Sequence, residues 1–549
     1  MNDKEFNLID ESWIRVINDE CRVDEISLAE LFKNAHKYKD LCGEIPTQDF
    51  ALFRFLLAIL HTVISRFDIN GEPLPLKDNE DALDRWEEFW HAGRFPDEVI
   101  SDYLESYRES FYLFHPERPF YQCEHAKVGT EYSTAKLYGD LSESNNKVRM
   151  FSMLSGEEKN SMTFSEAARW LMYLNAFDGC VKATSEFRAA LKALDKKPPS
   201  ISTGWLGQLG LICVLGNNLF ETLMLNLVLM YQEKDGVYPK EKPIWEFEKI
   251  PDGECVKIVC PDNLAQLYTL QSRRLYLKKE NKKVIGFYGL GGNFFDKEND
   301  FIEPMTVWRA PKKDSNIRLP NKHDASRQFW RDFSALIISN DQNSRPGIIE
   351  WIELLEDIDI LENPILDFKI ASVQYDSNNY SVTNIFSDSF QFHSSLISEM
   401  NSMWQNMVCD CVEFSDEISK KVWTLAKNVN LASGGNEDTT SKNAADKAKS
   451  DFYSRIDSPF RKWLCTIDPE TDNAYDKKVK WREECVKIAL EFGKNIINNV
   501  EPSAVFGKNK PIKNKPIKNK PIDKEEKKIY SAAKAMNIFV AQVKSAEIK

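Results

Sequence analysis

Near residue 395 the hydrophobic pattern of this 549-residue chain changes kind, and that change limits its possible architectures more than any other feature. Before it, short alternating segments of strand type are mixed with helical ones. After it the strand signals fade, and four helical segments follow at roughly 395–430, 442–466, 475–499 and 524–546. The third carries Trp481, Cys485, Ile488, Phe492 and Ile496 on one face, and the fourth Ile529, Ala532, Met536, Phe539 and Val543. Amphipathic helices with short connections pack as antiparallel neighbours. The expected fold class is therefore α+β (mixed α/β): a body over 1–394, then a C-terminal four-helix bundle over 395–549 with a Lys-rich inserted loop (508–528).

In the body, Leu8 to Val16 predicts a first strand and turn, and 3- and 4-residue apolar spacing predicts helices over Gln48–Arg66, Ala82–Ala92 and Ser165–Ala176. Leu209–Leu215 reads as a strand, Gly216-Asn217-Asn218 as turn and cap, and Leu219–Met230 as a helix. In the bundle, Ser458-Pro459 is expected to kink the second helix. Lys508 to Ile522 is three tandem copies of Lys-Asn-Lys-Pro-Ile. Repeated Pro and Lys argue for an extended, solvated linker, with a phosphate-binding arm as the alternative.

Lys+Arg 72 against Asp+Glu 85 leaves a net charge of −13, which excludes a basic coat over the whole surface but not local basic patches. The 42% hydrophobic content excludes wholesale disorder. Eleven scattered cysteines without a CxxC pair suit reduced thiols in a cytoplasmic protein. Seven dispersed histidines and no HExxH give no metal site, and no cofactor is expected. The charged start, Met1 to Glu11, lacks the apolar region of a secretory signal. The uncharged run Pro198–Phe220 is too rich in Ser, Thr, Gly, Gln and Asn for a membrane span, so no membrane partner is expected.

No catalytic residues emerge. Gly289, Gly291 and Gly292 form a GxGG cluster without the helix or acidic partner of a dinucleotide site, and a turn is the better reading. No GxSxG elbow, Walker A loop or kinase signature occurs. Adjacent pairs such as Glu87/Glu88 and Glu157/Glu158 diverge on a helix and cannot share a proton. One stretch is locally basic: Arg309, Lys312, Lys313, Arg318, Lys322, Arg327 and Arg331, interleaved with Trp308, Phe329 and Trp330. It fits a nucleic-acid grip and an ordinary surface over aromatic anchors equally well. Leu141–Thr163 and Gln374–Ser381 read as polar surface loops.

Specific strings go further. Phe6-Asn7-Leu8-Ile9-Asp10-Glu11-Ser12-Trp13-Ile14 resembles the start of the CasA family, the large subunit of the type I-E CRISPR surveillance complex Cascade. So do Phe114-His115-Pro116-Glu117-Arg118-Pro119-Phe120-Tyr121-Gln122, Gly204-Trp205-Leu206-Gly207-Gln208-Leu209-Gly210, Glu303-Pro304-Met305-Thr306-Val307-Trp308-Arg309, and Phe452-Tyr453 to Phe460 with Trp463. Their order and spacing cover nearly the whole chain. The resemblance implies a non-enzymatic role: inspecting double-stranded DNA for a protospacer-adjacent motif (PAM), helping to open it, and recruiting a helicase-nuclease. Guide RNA pairing reads the rest of the target. The implied partners are the other Cascade subunits, the guide RNA, target DNA and the helicase-nuclease.

The same resemblance implies three site elements. A wedge hairpin resembles Tyr375-Asp376-Ser377-Asn378-Asn379-Tyr380-Ser381, with Asn378 and Asn379 at its tip; relatives often have Gln at the second, one methylene longer. A glycine-containing loop that approaches the minor groove resembles Asp178-Gly179-Cys180-Val181-Lys182, with Gly179 small enough for close approach and Lys182 for phosphate. A loop that docks onto the guide RNA end resembles Asn145 to Phe151, where Asn146, Lys147, Arg149 and Phe151 supply polar, cationic and stacking contacts. The family's groove-reaching lysine corresponds to Lys282, Lys283 or Lys297, without a choice among them. The competing reading, favoured by the acidic total, is a protein-docking scaffold that never touches DNA.

Overall fold

A computed structural model describes residues 4–139, 143, 154–179, 184–193, 203–230, 236–238, 240–248, 258–259, 261–295, 302–311, 318–341, 343–358, 360–361, 364–377, 381–510 and 528–547. Helices and strands are mixed, and the chain divides into two compact units. The first comprises Met1–Phe329 and Ala335–Phe390; the second takes Gln391–Lys549 together with the short segment Trp330–Ser334.

The first unit is organised around the helix Pro46–Ile64. Proline at its first turn costs no hydrogen bond. Asp49 and Gln48 accept from the amides of Gly43 and Glu44, which fixes the entering chain against the first turn although the N-cap, Ile45, makes no side-chain cap bond. Seventeen of its residues are buried. It is the one described helix long and apolar enough to cross a membrane, but burial inside the unit already accounts for that composition. The helices Phe164–Phe177 and Leu264–Tyr268 and the strand Ile365–Tyr375 pack against it. A buried bidentate pair crosses this core, with Arg54 Nη1 and Nη2 2.7 and 2.8 Å from the Glu303 carboxylate, which also accepts from Trp205 Nε1.

Two three-stranded sheets carry the rest of the argument. In one, Ile365–Tyr375 is flanked by Leu211–Leu215 and by Val382–His393. In the other, Lys283–Gly291 lies between Thr130–Ser133 and Arg273–Glu280. The strands Arg273–Glu280 and Lys283–Gly291 are joined by Asn281 and Lys282, both at positive φ (50° and 59°), the conformation of a tight two-residue hairpin turn.

Several expectations need correction. Gly289 and Gly291 belong to a strand, not a turn: they pair with Leu275 and Arg273, and a side chain at Gly289 would press on Phe287 and Tyr132. The helix expected over Leu219–Met230 stops at Leu225, because the buried Asn226 side chain turns back to bond Val214 N and O. Leu8–Val16 does not open on a strand: the first strand, Glu5–Asn7, precedes it, Leu8–Trp13 is a turn closed by Trp13 Nε1 on Leu8 O, and the next strand begins at Ile14.

The second unit contains long helices at Ser402–Ala432, Thr440–Cys465, Ala474–Asn498 and Ala532–Glu547, with a short one at Pro502–Phe506. The second long helix runs through Pro459. Its core is a cluster of aromatic rings: Trp330 stacks on Phe460 at 4.1 Å between centroids, and Phe460 meets Trp481 edge-on at 4.9 Å. Trp330 Nε1 bonds Asp457 at 2.8 Å, and the Arg331 guanidinium lies 3.7 Å from the Tyr453 ring centroid. At the ends of the lysine-rich insert, Lys508–Lys510 pairs antiparallel with Lys528–Tyr530, a ladder that repeated Pro and Lys did not suggest. Residues 511–527 lie outside the described residues.

Candidate functional site: three loop roots on one ionic centre

The helix Phe164–Phe177 starts with a capping box, Thr163 with Glu166, and ends at Asp178. A carboxylate at a helix C-terminus opposes the helix dipole, so it is stable there only with cations beside it. Two are present. Lys136 Nζ lies 2.5 Å from Asp178 Oδ1, and Arg273 Nε lies 3.2 Å from Oδ2, with all three side chains at 6% exposure or less. Arg273 Nη2 also donates to the carbonyls of Asp178 (3.0 Å) and Gly179 (2.6 Å), satisfying acceptors that the helix end leaves open.

Three segments start from this centre. Lys136 lies on the short helix Thr134–Leu137, just before the Leu141–Thr163 region. The base of that region is tied by Glu143 N to Ala135 O, by Lys159 to Glu143 at 2.8 Å, and by Thr134 Oγ1 to Lys159 O. Asp178 and Gly179 lead into the Gly179–Lys182 segment. Tyr375, the last residue of its strand, donates its hydroxyl to Phe177 O at 2.5 Å, one residue from Asp178. Burial, with the Tyr173 and Asp178 groups nearby, holds that phenol well above the usual tyrosine pKa, so it remains a donor at neutral pH. The hairpin base beyond it is closed by Asp376 N to Ser381 O and by Thr383 Oγ1 to Gln374 O.

The Gly204-Trp205-Leu206-Gly207 string completes the arrangement. Gly204 N bonds Asp178 O at 2.9 Å, and a side chain at Gly204 would collide with the Ala176 carbonyl. One at Gly207 would collide with the Tyr375 hydroxyl. Only glycine allows both approaches.

Of the expected site residues, Gly179 is described and is buried, its carbonyl held by Arg273. Asn378, Asn379, Lys182, Asn146, Lys147, Arg149 and Phe151 lie outside the described residues, as does Lys297. Lys282 and Lys283 are exposed at the tight turn. Trp308, Phe329 and Trp330 of the basic stretch are all buried, which leaves their rings no face for a base. Lys322 of that stretch is exposed, with Nζ 5.0 Å from the centroid of the Tyr375 ring. Lys136, Asp178 as an ionic group, and Arg273 were missed in the sequence. The acid at the end of a helical pattern was the one signal available. Among the described residues, no group of three or more His, Cys, Asp or Glu could hold a metal ion.

Comparison with known proteins follows the same outline. A family model described as CRISPR-associated protein Cse1 matches residues 7–492. A CasA/Cse1 protein of Thermus thermophilus is 32% identical over 338 residues, 61% of this chain and 60% of the relative, so the match spans less than two thirds of that protein. Thermobifida fusca Cse1 has the same fold with a TM-score of 0.80, at 25% identity over 99% of this chain and 98% of that one. A chain of a solved CRISPR RNA-guided surveillance complex shares the fold at a TM-score of 0.69 and 15% identity, over 98% and 99% of the two chains.

Proposed function

Because the chain belongs to the Cse1 family of CRISPR-associated proteins, we propose that it is the large, non-catalytic subunit of a cytoplasmic type I-E surveillance complex. It recognises the protospacer-adjacent motif in double-stranded DNA, helps open the duplex, and recruits the helicase-nuclease. Its partners are the other Cascade subunits and the guide RNA, with no cofactor or membrane involved. The body 1–394 carries the reading loops, and the four helices of 395–549 act as a bundle.

The observation that supports this reading is the common root of the three segments. Lys136, Asp178 with Gly179, and Tyr375 are joined through one buried ionic centre. A reader assembled from short loops needs such a base, since a groove contact misplaced by an ångström loses most of its value. Asn378 and Asn379 then form the wedge tip, Gly179 and Lys182 the groove segment, and Asn146, Lys147, Arg149 and Phe151 the docking contacts to the guide RNA end. The degenerate pattern of the minor groove suits a tolerant reader.

Asn378→Ala with Asn379→Ala tests the reading in the assembled complex. Assembly should be unchanged, while opening of a duplex bearing the preferred motif falls roughly tenfold or more, the loss expected when two base-edge hydrogen-bonding groups are removed. If the variant complex opens DNA as well as wild type, and binding ignores the bases beside the target, the protein is a docking scaffold.

A further inference from the structure

We infer that Asp178 is a positioning residue: its carboxylate, with Lys136 and Arg273, couples the roots of the three segments, so that a shift in one is passed to the others. The inference rests on the DNA-sensing reading above and extends it from the loop tips to their common base.

The geometry supports coupling in four ways. Asp178 pairs with two buried cations at once, so the loss of its charge reaches both. Arg273 has a planar, five-donor head, and here it grips the carboxylate, two successive carbonyls and Ser272 O at once; a change in the path after Phe177 therefore strains a strand of the second sheet. Tyr375 bonds the carbonyl of Phe177, so the hairpin root follows the helix end. Gly204 and Gly207 seat the same turn against Asp178 and Tyr375, leaving no side chain to cushion relative motion.

Two substitutions separate coupling from simple stability. Asp178→Asn keeps the shape and removes the charge. Tyr375→Phe keeps the ring, removes one hydroxyl and no charge, and is the milder variant, expected to keep the fold. The first readout is amide hydrogen exchange at Gly204 in the full chain. Its bond to Asp178 O is untouched by Tyr375→Phe, so faster exchange there reports a shift passed through Phe177. We expect roughly fivefold acceleration, the effect of one hydrogen bond of ordinary strength. The second readout is discrimination between preferred and scrambled motifs by the assembled complex. It should fall roughly fivefold for Tyr375→Phe and by tenfold or more for Asp178→Asn.

Unchanged Gly204 exchange in Tyr375→Phe overturns the coupling. So does wild-type discrimination by both variants in a complex where Asn378→Ala with Asn379→Ala abolishes it. If the wedge variant also discriminates like wild type, the DNA-sensing reading fails, and Gly204 exchange still decides whether the roots are coupled.

Discussion

In the first unit, charged side chains from distant parts of the sequence meet in the interior, Arg54 with Glu303 and Arg273 with Asp178, while the buried Arg169 reaches the partly exposed Glu44. In the second unit the interior is closed by rings, Trp330 on Phe460 and Phe460 on Trp481, and much of its packing is between neighbouring helices. The charge divides as well. The second unit excluding Trp330–Ser334 has 27 Lys and Arg against 22 Asp and Glu, +5, whereas the first has 44 against 62, −18. The overall −13 is therefore the sum of an acidic unit and a basic one, and it says little about either surface. The contrast also separates two kinds of stability. Buried ion pairs hold a particular arrangement and fail when one partner is lost, whereas ring clusters resist through area and shape.

Glu303→Ala should have the largest effect. It leaves the Arg54 guanidinium buried without its carboxylate and Trp205 Nε1 without its acceptor, at a cost of about 3–5 kcal/mol. Chemical denaturation of the full chain should show the loss in the first unit's transition. Replacing both partners, Arg54→Met with Glu303→Met, should recover much of it. A double variant as unstable as the single one would mean that volume, not charge, decides this core.

Trp330→Ala comes next, at about 3 kcal/mol for a large ring removed from a packed cluster. Although Trp330 sits in the sequence inside the first unit, calorimetry should show the shift in the second unit's transition. A shift confined to the first unit would contradict the division.

A smaller effect depends on pH. Glu241 is 3% exposed, and burial raises its carboxyl from the usual carboxylate range to about 8, while burial lowers the adjacent His61 to about 3. The folded state therefore holds a proton on Glu241 that the unfolded chain releases above its ordinary pKa. Stability from this group is full below that pKa and is lost as pH rises through 8, about 1.4 kcal/mol of it between pH 7 and 9. Glu241→Gln should flatten that part of the stability profile, and an unchanged slope would remove Glu241 as its cause.

The smallest effect is expected at the lysine repeat. Removing two of the three Lys-Asn-Lys-Pro-Ile copies shortens a connection whose ends already pair, so the second unit's unfolding free energy, read by chemical denaturation, should change by less than about 1 kcal/mol. A larger loss would show that the repeat packs.

Legibility follows the same contrast. The helix periods over Gln48–Arg66, Ser165–Ala176 and the segments 442–466 and 475–499 lie within two residues of the observed helices, since each stripe is a local property of its own segment. The segments expected from 395 and 524 begin as helices only at Ser402 and Ala532, because short turns precede the one and the strand Lys528–Tyr530, which holds Ile529, precedes the other. Where a side chain from elsewhere intervened, the pattern misled. Asn226 ended a helix early by bonding a strand, and the glycines at 289 and 291 looked like a turn because glycine gives no strand signal of its own; their place in the sheet is set by pairing with Leu275 and Arg273 and, for Gly289, with the distant Thr130. The site divided similarly. Strings such as Gly204-Trp205-Leu206-Gly207 pointed to the family, but their physical role became visible only when the Ala176 carbonyl and the Tyr375 hydroxyl were found against those glycines.

Residue order alone was enough for the mixed architecture, the position of the helical C-terminal part and the family, because periodicity and short strings travel along the chain. It could not reveal the centre formed by Lys136, Asp178 and Arg273, which are 42 and 95 residues apart in sequence. A buried carboxylate chooses its cations by proximity in a dry interior, where charge interactions are strong and water cannot substitute. That proximity exists only after the helix Phe164–Phe177, the strand Arg273–Glu280 and the short helix Thr134–Leu137 have packed.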